Sequence, residues 1–224
     1  GVVVANTPDV LTADVADLAI ALWICAVRQI LGANRFLRRG DWRRGPMPLA
    51  RTASSRAAGI LGLGRIGSAI GRRCAAMDMS VHYCSRTPRP DSGFRHWTDL
   101  AAMAADVDVL FVACPGGAAT RHLVDATVLD RLGPDGVIVN ISRGSVIDET
   151  AMIAALRDGR LGGAGLDVFE NEPQVPDGLA GDERLVLTPH IGSATVETRR
   201  AMAREMIANL VRHFSGEAVR NRLV

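Results

Sequence analysis

Lysine is absent from the 224 residues, so all 26 basic side chains are arginines. That excludes a Schiff-base nucleophile, a pyridoxal-type aldimine and a phosphate-loop lysine, because each needs an ammonium nitrogen that guanidinium does not supply. Aromatic side chains are scarce at 4%, and the arginines are scattered among 24 acidic residues for a net charge of +2. No basic block interleaved with aromatics exists, which argues against nucleic acid as a partner. The four cysteines, Cys25, Cys74, Cys84 and Cys114, show neither C-x-x-C spacing nor clustering with histidine. They are expected as buried small side chains in a reducing compartment, with no disulfide and no metal. The most apolar run, residues 18–27, is far short of a membrane span and lacks the basic flank of a signal peptide. The expectation is a soluble, cytoplasmic protein with no membrane partner.

What is present is a regular alternation. From Thr12, the residues Val15, Leu18, Ala19, Leu22, Ala26, Ile30 and Ala33 recur at helical spacing, and Ile20, Ile24, Val27 and Leu31 form a second apolar face. This predicts one long helix over about 12–38, buried on its own domain and on another lobe or subunit. An irregular connector follows at 41–55. Beyond it, apolar runs at 58–61, 80–84, 107–113, 137–141, 164–169 and 184–187 alternate with helical patterns near 66–77, 120–131 and 148–157. Strands that are apolar throughout and joined by helices predict a parallel sheet covered on both faces, the doubly wound α/β class. A last helix near 195–214 carries Met202, Met206, Ile207, Leu210, Val211 and Phe214 on one side, a stripe expected to be core. The division that follows is a dinucleotide-binding domain over 1–194 and a C-terminal helix region over 195–224.

Gly62-Leu63-Gly64-Arg65-Ile66-Gly67 is a G-x-G-x-x-G between a predicted strand and a predicted helix. In that setting the first glycine makes the turn, the second lets backbone approach a pyrophosphate, and the third allows helix and strand to pack closely. The end of the next strand selects the dinucleotide. An NAD site places a carboxylate there for the ribose 2′-hydroxyl, but this chain delivers Ser85, Arg86 and Thr87, with Arg89 beyond Pro88. Hydroxyls and guanidinium groups suit a 2′-phosphate, so NADP(H) is expected over NAD(H). The alternative is that Arg86 is solvated and Asp91 serves the ribose.

Three further residues fall just past predicted strand ends: Arg143 after Asn140-Ile141-Ser142, Glu172 after the strand holding Asp167, and His190 after Thr188-Pro189. In a parallel sheet these ends share one edge, so a cation, an acid and an imidazole can meet beside a nicotinamide. That set fits reduction of a 2-oxo acid, with Arg binding carboxylate or carbonyl oxygen, His giving a proton and Glu holding the imidazole. Each has a plainer reading as a surface ion pair, a loop acid and a core histidine. His82, His96, His122 and His213 lack a comparable setting.

The chain resembles the D-isomer-specific 2-hydroxyacid dehydrogenases through Asn6-Thr7-Pro8, the glycine turn at 62–67, Asn140-Ile141-Ser142-Arg143-Gly144, Gly165-Leu166-Asp167-Val168-Phe169 with Glu172-Pro173, and Pro189-His190-Ile191-Gly192. Within that family Ser85-Arg86-Thr87 is similar to the NADPH-dependent glyoxylate, hydroxypyruvate and hydroxyphenylpyruvate reductases. The resemblance implies that Arg143 orients substrate, that His190 is the acid/base and Glu172 its partner, and that Asp167 faces the nicotinamide carboxamide. Backbone at 63–66 and at Ile141, Ser142 and Arg143 would touch the cofactor, with Pro115 and Gly192 on the same side. Residues 114–120 depart from the family's Pro-Leu-Thr-type turn. Family members also carry a flavodoxin-like lobe ahead of the position of Gly1, packed on the long first helix and on the last helix (195–224) and expected here to be largely missing, and pair as homodimers through the first long helix. The implied activity is hydride transfer from NADPH to a small 2-oxo acid, giving a D-2-hydroxy acid. The alternative is an inactive dinucleotide-binding or dinucleotide-sensing module.

Overall fold

Seven short strands pair in one direction to make a single sheet in the computed structural model, which describes residues 2–223. They are β1 (Ala57–Leu61), β2 (Ser80–Cys84), β3 (Arg95–Trp97), β4 (Val109–Val112), β5 (Val137–Asn140), β6 (Gly163–Leu166) and β7 (Leu185–Leu187). Their order across the sheet is β3-β2-β1-β4-β5-β6-β7, every pairing parallel. The helices are α1 (Thr12–Val27), α2 (Ile30–Arg38), α3 (Arg65–Ala76), α4 (Leu100–Ala104), α5 (Ala126–Leu132), α6 (Glu149–Arg157), α7 (Asp177–Ala180) and α8 (Val196–Phe214).

The period-two geometry of a strand sends alternate side chains to opposite faces, and both faces are covered. In β4, Val109 and Phe111 join α1 and α3 through Ala19, Leu22, Trp23 and Ile70. Leu110 and Val112 join α4, α5 and α6 through Met103, Leu129 and Met152. Asp99, Asp125, Asp148 and Thr195 accept hydrogen bonds from first-turn N–H groups of α4, α5, α6 and α8, which places those helix starts. No single helix among the described residues is long and apolar enough to cross a membrane.

Several expectations need correction. The helix expected over 12–38 is two helices meeting at 59°, because Gln29 adopts a left-handed conformation (φ 51°) between them. The edge strand β3 is three residues long with an exposed arginine, too short and polar to stand out, and α4 and α7 were equally hidden by their length. The expected helix near 120–131 begins only at Ala126, since Val124 bridges to Ile147 instead. The stripe on α8 is not core. Met206, Ile207, Leu210, Val211 and Phe214 are exposed, and Thr198 and Asn209 are the buried positions.

The start of α8 is tied to α1. Asp14 Oδ2 accepts hydrogen bonds from the hydroxyls of Thr195 and Thr198, the latter at 2.5 Å. These bonds, Thr195 first, hold the Asp14 carboxyl below its usual value against a smaller effect of burial. A carboxyl depressed in the folded state stabilises fully above its unfolded value, and that contribution is lost as pH falls through the folded one. Urea midpoints measured from about pH 6 down to about pH 3 are therefore expected to fall less steeply in Asp14→Asn than in the native chain.

Candidate active site

From β1 the chain runs outward to β2 and β3 on one side, then crosses to β4 on the other, so a crevice opens beyond the C-terminal ends of β1 and β4. Its floor is the glycine turn. Gly62 has φ +95°, and a Cβ there would stand 2.7 Å from the backbone nitrogen of Cys114. A Cβ on Gly64, by contrast, would meet nothing within 4 Å. Gly64 stands at the N-terminal cap of helix α3 and no side chain caps it, so the first N–H groups of the helix and its partial positive charge remain available beside that open space. The arrangement fits a dinucleotide pyrophosphate. Arg65 in the same turn pairs with Asp9 at 2.6 Å.

At the end of β2, Ser85 Oγ donates to the Thr87 carbonyl at 2.8 Å and the Ser85 carbonyl lies 3.1 Å from His96 Nε2, so this turn has its own internal bonds. Arg86 and Arg89 are exposed, and neither is ion-paired among the described residues. Asp91 lies in a short turn of helix further along.

The three strand-end residues come to the same edge of the sheet, and two of them touch. Glu172 Oε2 is 2.8 Å from His190 Nδ1, while Oε1 accepts from the Phe169 N–H at 3.1 Å. Burial alone pushes the Glu172 carboxyl up. The hydrogen bonds from His190 and Phe169, with the charges of His190 and Arg143, outweigh it and hold the carboxyl below its usual value. An ionised carboxylate can only accept, so Nδ1 carries a hydrogen and Nε2 is left for chemistry. His190 is half-exposed and has φ 53°, an uncommon conformation for a non-glycine residue. Asp167 stabilises that turn. Its side chain is 1% exposed; Oδ1 accepts from Thr188 Oγ1 and the Ile191 N–H, and Oδ2 from the Gly192 N–H, at 2.6, 2.8 and 2.8 Å. The aspartate expected to face the nicotinamide carboxamide wraps the histidine turn around its carboxylate.

Arg143 is exposed, and its Nη1 donates to the Ser142 carbonyl at 2.6 Å. Its side chain lies over Gly116, where a Cβ would come within 2.6 Å of Arg143 Cγ. Pro115 is exposed beside Gly116, and Ile141 and Gly192 are buried against the same edge. Two contributors were not foreseen. Gly116 was hidden in a glycine-rich turn, and Glu149 looked like an ordinary first-turn acid of a helix. Glu149 is buried, and its Oε1 accepts from the Glu170 N–H at 2.7 Å, bracing the loop that carries Glu172. Burial, opposed by that hydrogen bond, pushes the Glu149 carboxyl up, helped by the charges of Glu170 and Glu172.

Residues 20–192 match the family model described as the D-isomer specific 2-hydroxyacid dehydrogenase, NAD binding domain. Glyoxylate/hydroxypyruvate reductase A of Arabidopsis thaliana is 49% identical over 219 residues, covering 98% of this chain and 70% of that protein. Hydroxyphenylpyruvate reductase of Plectranthus scutellarioides is 48% identical over 217 residues, 97% of this chain and 69% of the relative. Among solved structures, the NADPH-dependent glyoxylate/hydroxypyruvate reductase of Sinorhizobium meliloti in complex with NADP and malonate superposes with a TM-score of 0.95 at 46% identity. It covers 100% of this chain and 70% of its own. The chain belongs to the D-isomer-specific 2-hydroxyacid dehydrogenases, an oxidoreductase family, and contains their Rossmann-type NAD-binding domain.

Gly116 provides a direct check on this geometry. Gly116→Ala is expected to displace the Arg143 side chain, leaving the Glu172–His190 pair in place. A crystal structure of the variant would show both.

Proposed function

We propose that this chain reduces a small 2-oxo acid of the glyoxylate, hydroxypyruvate or hydroxyphenylpyruvate type to the D-2-hydroxy acid, using NADPH in preference to NADH. The observation that carries this reading is the 2.8 Å Glu172–His190 pair on the same sheet edge as Arg143 and the glycine turn. Gly62, Leu63, Gly64, Arg65, Ile66 and Gly67 would hold the pyrophosphate at the head of α3. Ser85, Arg86 and Thr87 would take the 2′-phosphate, supported by the exposed guanidinium groups of Arg86 and Arg89. Pro115, Ile141, Ser142, Asp167 and Gly192 would form the nicotinamide side.

When bound, the reduced nicotinamide supplies a hydride to the carbonyl carbon. Arg143 binds the substrate carboxylate or carbonyl oxygen and so presents the carbonyl toward His190. His190 Nε2 gives its proton to the oxygen as negative charge develops there, which leaves the alcohol. Glu172 holds the ring by Nδ1 throughout, which keeps Nε2 turned toward the substrate oxygen. The fall of the Glu172 carboxyl below its usual value keeps it ionised for that task.

The chain also presents a surface suited to a second copy. Ile30, Leu31, Leu37, Trp42 and Leu49 are all exposed on α2 and the connector, and large apolar side chains left to solvent mark a surface suited to association. We read this face as a homodimer interface, and sedimentation equilibrium is expected to give twice the chain mass.

Consumption of NADPH with glyoxylate, hydroxypyruvate and 4-hydroxyphenylpyruvate tests the central reading, run with the chain itself and with a fusion carrying the N-terminal portion of the Arabidopsis relative. Turnover with at least one acid is expected, and its absence in both forms would overturn the proposal. Arg86→Ala should erode the preference for NADPH over NADH, whereas a native enzyme that prefers NADH would remove the 2′-phosphate assignment. His190→Ala should lower kcat by on the order of 10²- to 10⁴-fold with NADPH affinity retained.

A further inference from the structure

The last residue of β5 is polar where the rest of the strand is not. Val137, Ile138 and Val139 are buried apolar residues between β4 and β6, and Asn140 continues the strand with only 1% of its surface exposed. A primary amide in that position is costly to bury unless its donors and acceptor are bonded. All the bonds found for its side chain go to the next three residues. Oδ1 accepts from the Ser142 N–H at 3.0 Å and from Ser142 Oγ at 3.2 Å, and Nδ2 donates to the Arg143 carbonyl at 3.0 Å.

These bonds bear on Arg143 from two sides. Its carbonyl is held directly by Nδ2. Its guanidinium rests on the Ser142 carbonyl, in the residue whose N–H and hydroxyl both point to Oδ1. On the far side of the turn, Gly144 lies so close to the backbone of Phe169 and Glu170 that a Cβ would collide with it. The turn from 140 to 144 is thus closed by a buried side chain at one end and pressed at the other against the loop that carries Glu172. A shift in it changes where Arg143 stands relative to Glu172 and His190. An aliphatic residue would fill the end of β5 without buried polar groups, so strand packing alone gives no reason for an amide here.

We propose that Asn140 is a positioning residue for Arg143, closing the turn so that the guanidinium meets the 2-oxo acid in register with His190. The inference rests on the reading of Arg143 given above. It is tested by a double-mutant cycle with Asn140→Ala and Arg143→Ala, because a residue that acts through another costs little once the other is gone. Oxalate, a planar mimic of adjacent carboxylate and carbonyl oxygens, is the probe. Its dissociation constant from the chain with NADPH bound is read by nucleotide fluorescence, so the measurement survives loss of turnover. Kinetics with hydroxypyruvate and thermal melts accompany it. Asn140→Asp, which keeps the shape and the acceptor but cannot donate to the Arg143 carbonyl, is the second variant should the alanine chain fail to fold.

In the native background Asn140→Ala, or Asn140→Asp, is expected to weaken oxalate and raise the KM for hydroxypyruvate by about 10- to 100-fold. In the Arg143→Ala background the same change should cost less than about twofold. An equal factor in both backgrounds, or native oxalate affinity in both Asn140 variants, overturns the inference and leaves the function of Arg143 intact. Native oxalate affinity in Arg143→Ala overturns both.

Discussion

Parallel pairing of seven strands is the constraint on which everything else in the chain depends. Because every strand runs the same way, every β-to-α turn lies at one edge, and the glycine turn, the 85–87 turn, Arg143, Glu172 and His190 must all face the same crevice. Each is separated from the next by at least one helix and many residues, yet the shared strand direction alone brings them to one edge. The reversal of strand order between β1 and β4 keeps that crevice open, since adjacent turns there lead away to opposite faces.

Within that frame, buried polar side chains do the local aiming. The Asp167 carboxylate accepts three hydrogen bonds from residues 188–192, and the unusual backbone of His190 persists because its neighbours on both sides are held. Glu149 supports the loop that brings Glu172 to the histidine. Asn140 does the same for the arginine turn. In each case a group that would weaken an apolar core is retained next to a residue that faces the crevice. The pattern is economical: the strands provide coarse placement to within a turn, and one hydrogen-bonded side chain sets each turn's final geometry.

The two outer helices obey different rules. Helix α1 buries Ala16, Ala19, Leu22 and Trp23 on the sheet, and Asp14 at its start holds the beginning of α8. Helix α8 turns Met206, Leu210 and Phe214 to solvent. The periodicity that reads as a core stripe is the same whether an apolar face meets its own sheet or remains uncovered, so hydropathy alone could not separate the two. Gln29 is a similar case. Nothing in its identity announces a left-handed residue, and the bend between α1 and α2 follows from that one backbone conformation.

The residues proposed to carry chemistry could be picked out because parallel α/β proteins put function at strand ends, and because G-x-G-x-x-G, Arg143, Glu172 and His190 each follow a run of apolar residues. Sequence also determined the class of sheet, since strands apolar on both faces must be covered on both. Only the tertiary structure decided which side chains touch. The 2.8 Å contact of Glu172 with His190, the passage of Arg143 over Gly116, the carboxylate of Asp167 enclosed by the histidine turn and the amide of Asn140 closed upon the arginine turn all join residues through space. Composition and spacing say where a side chain begins along the chain, whereas hydrogen bonding and close packing depend on distances of a few tenths of an ångström.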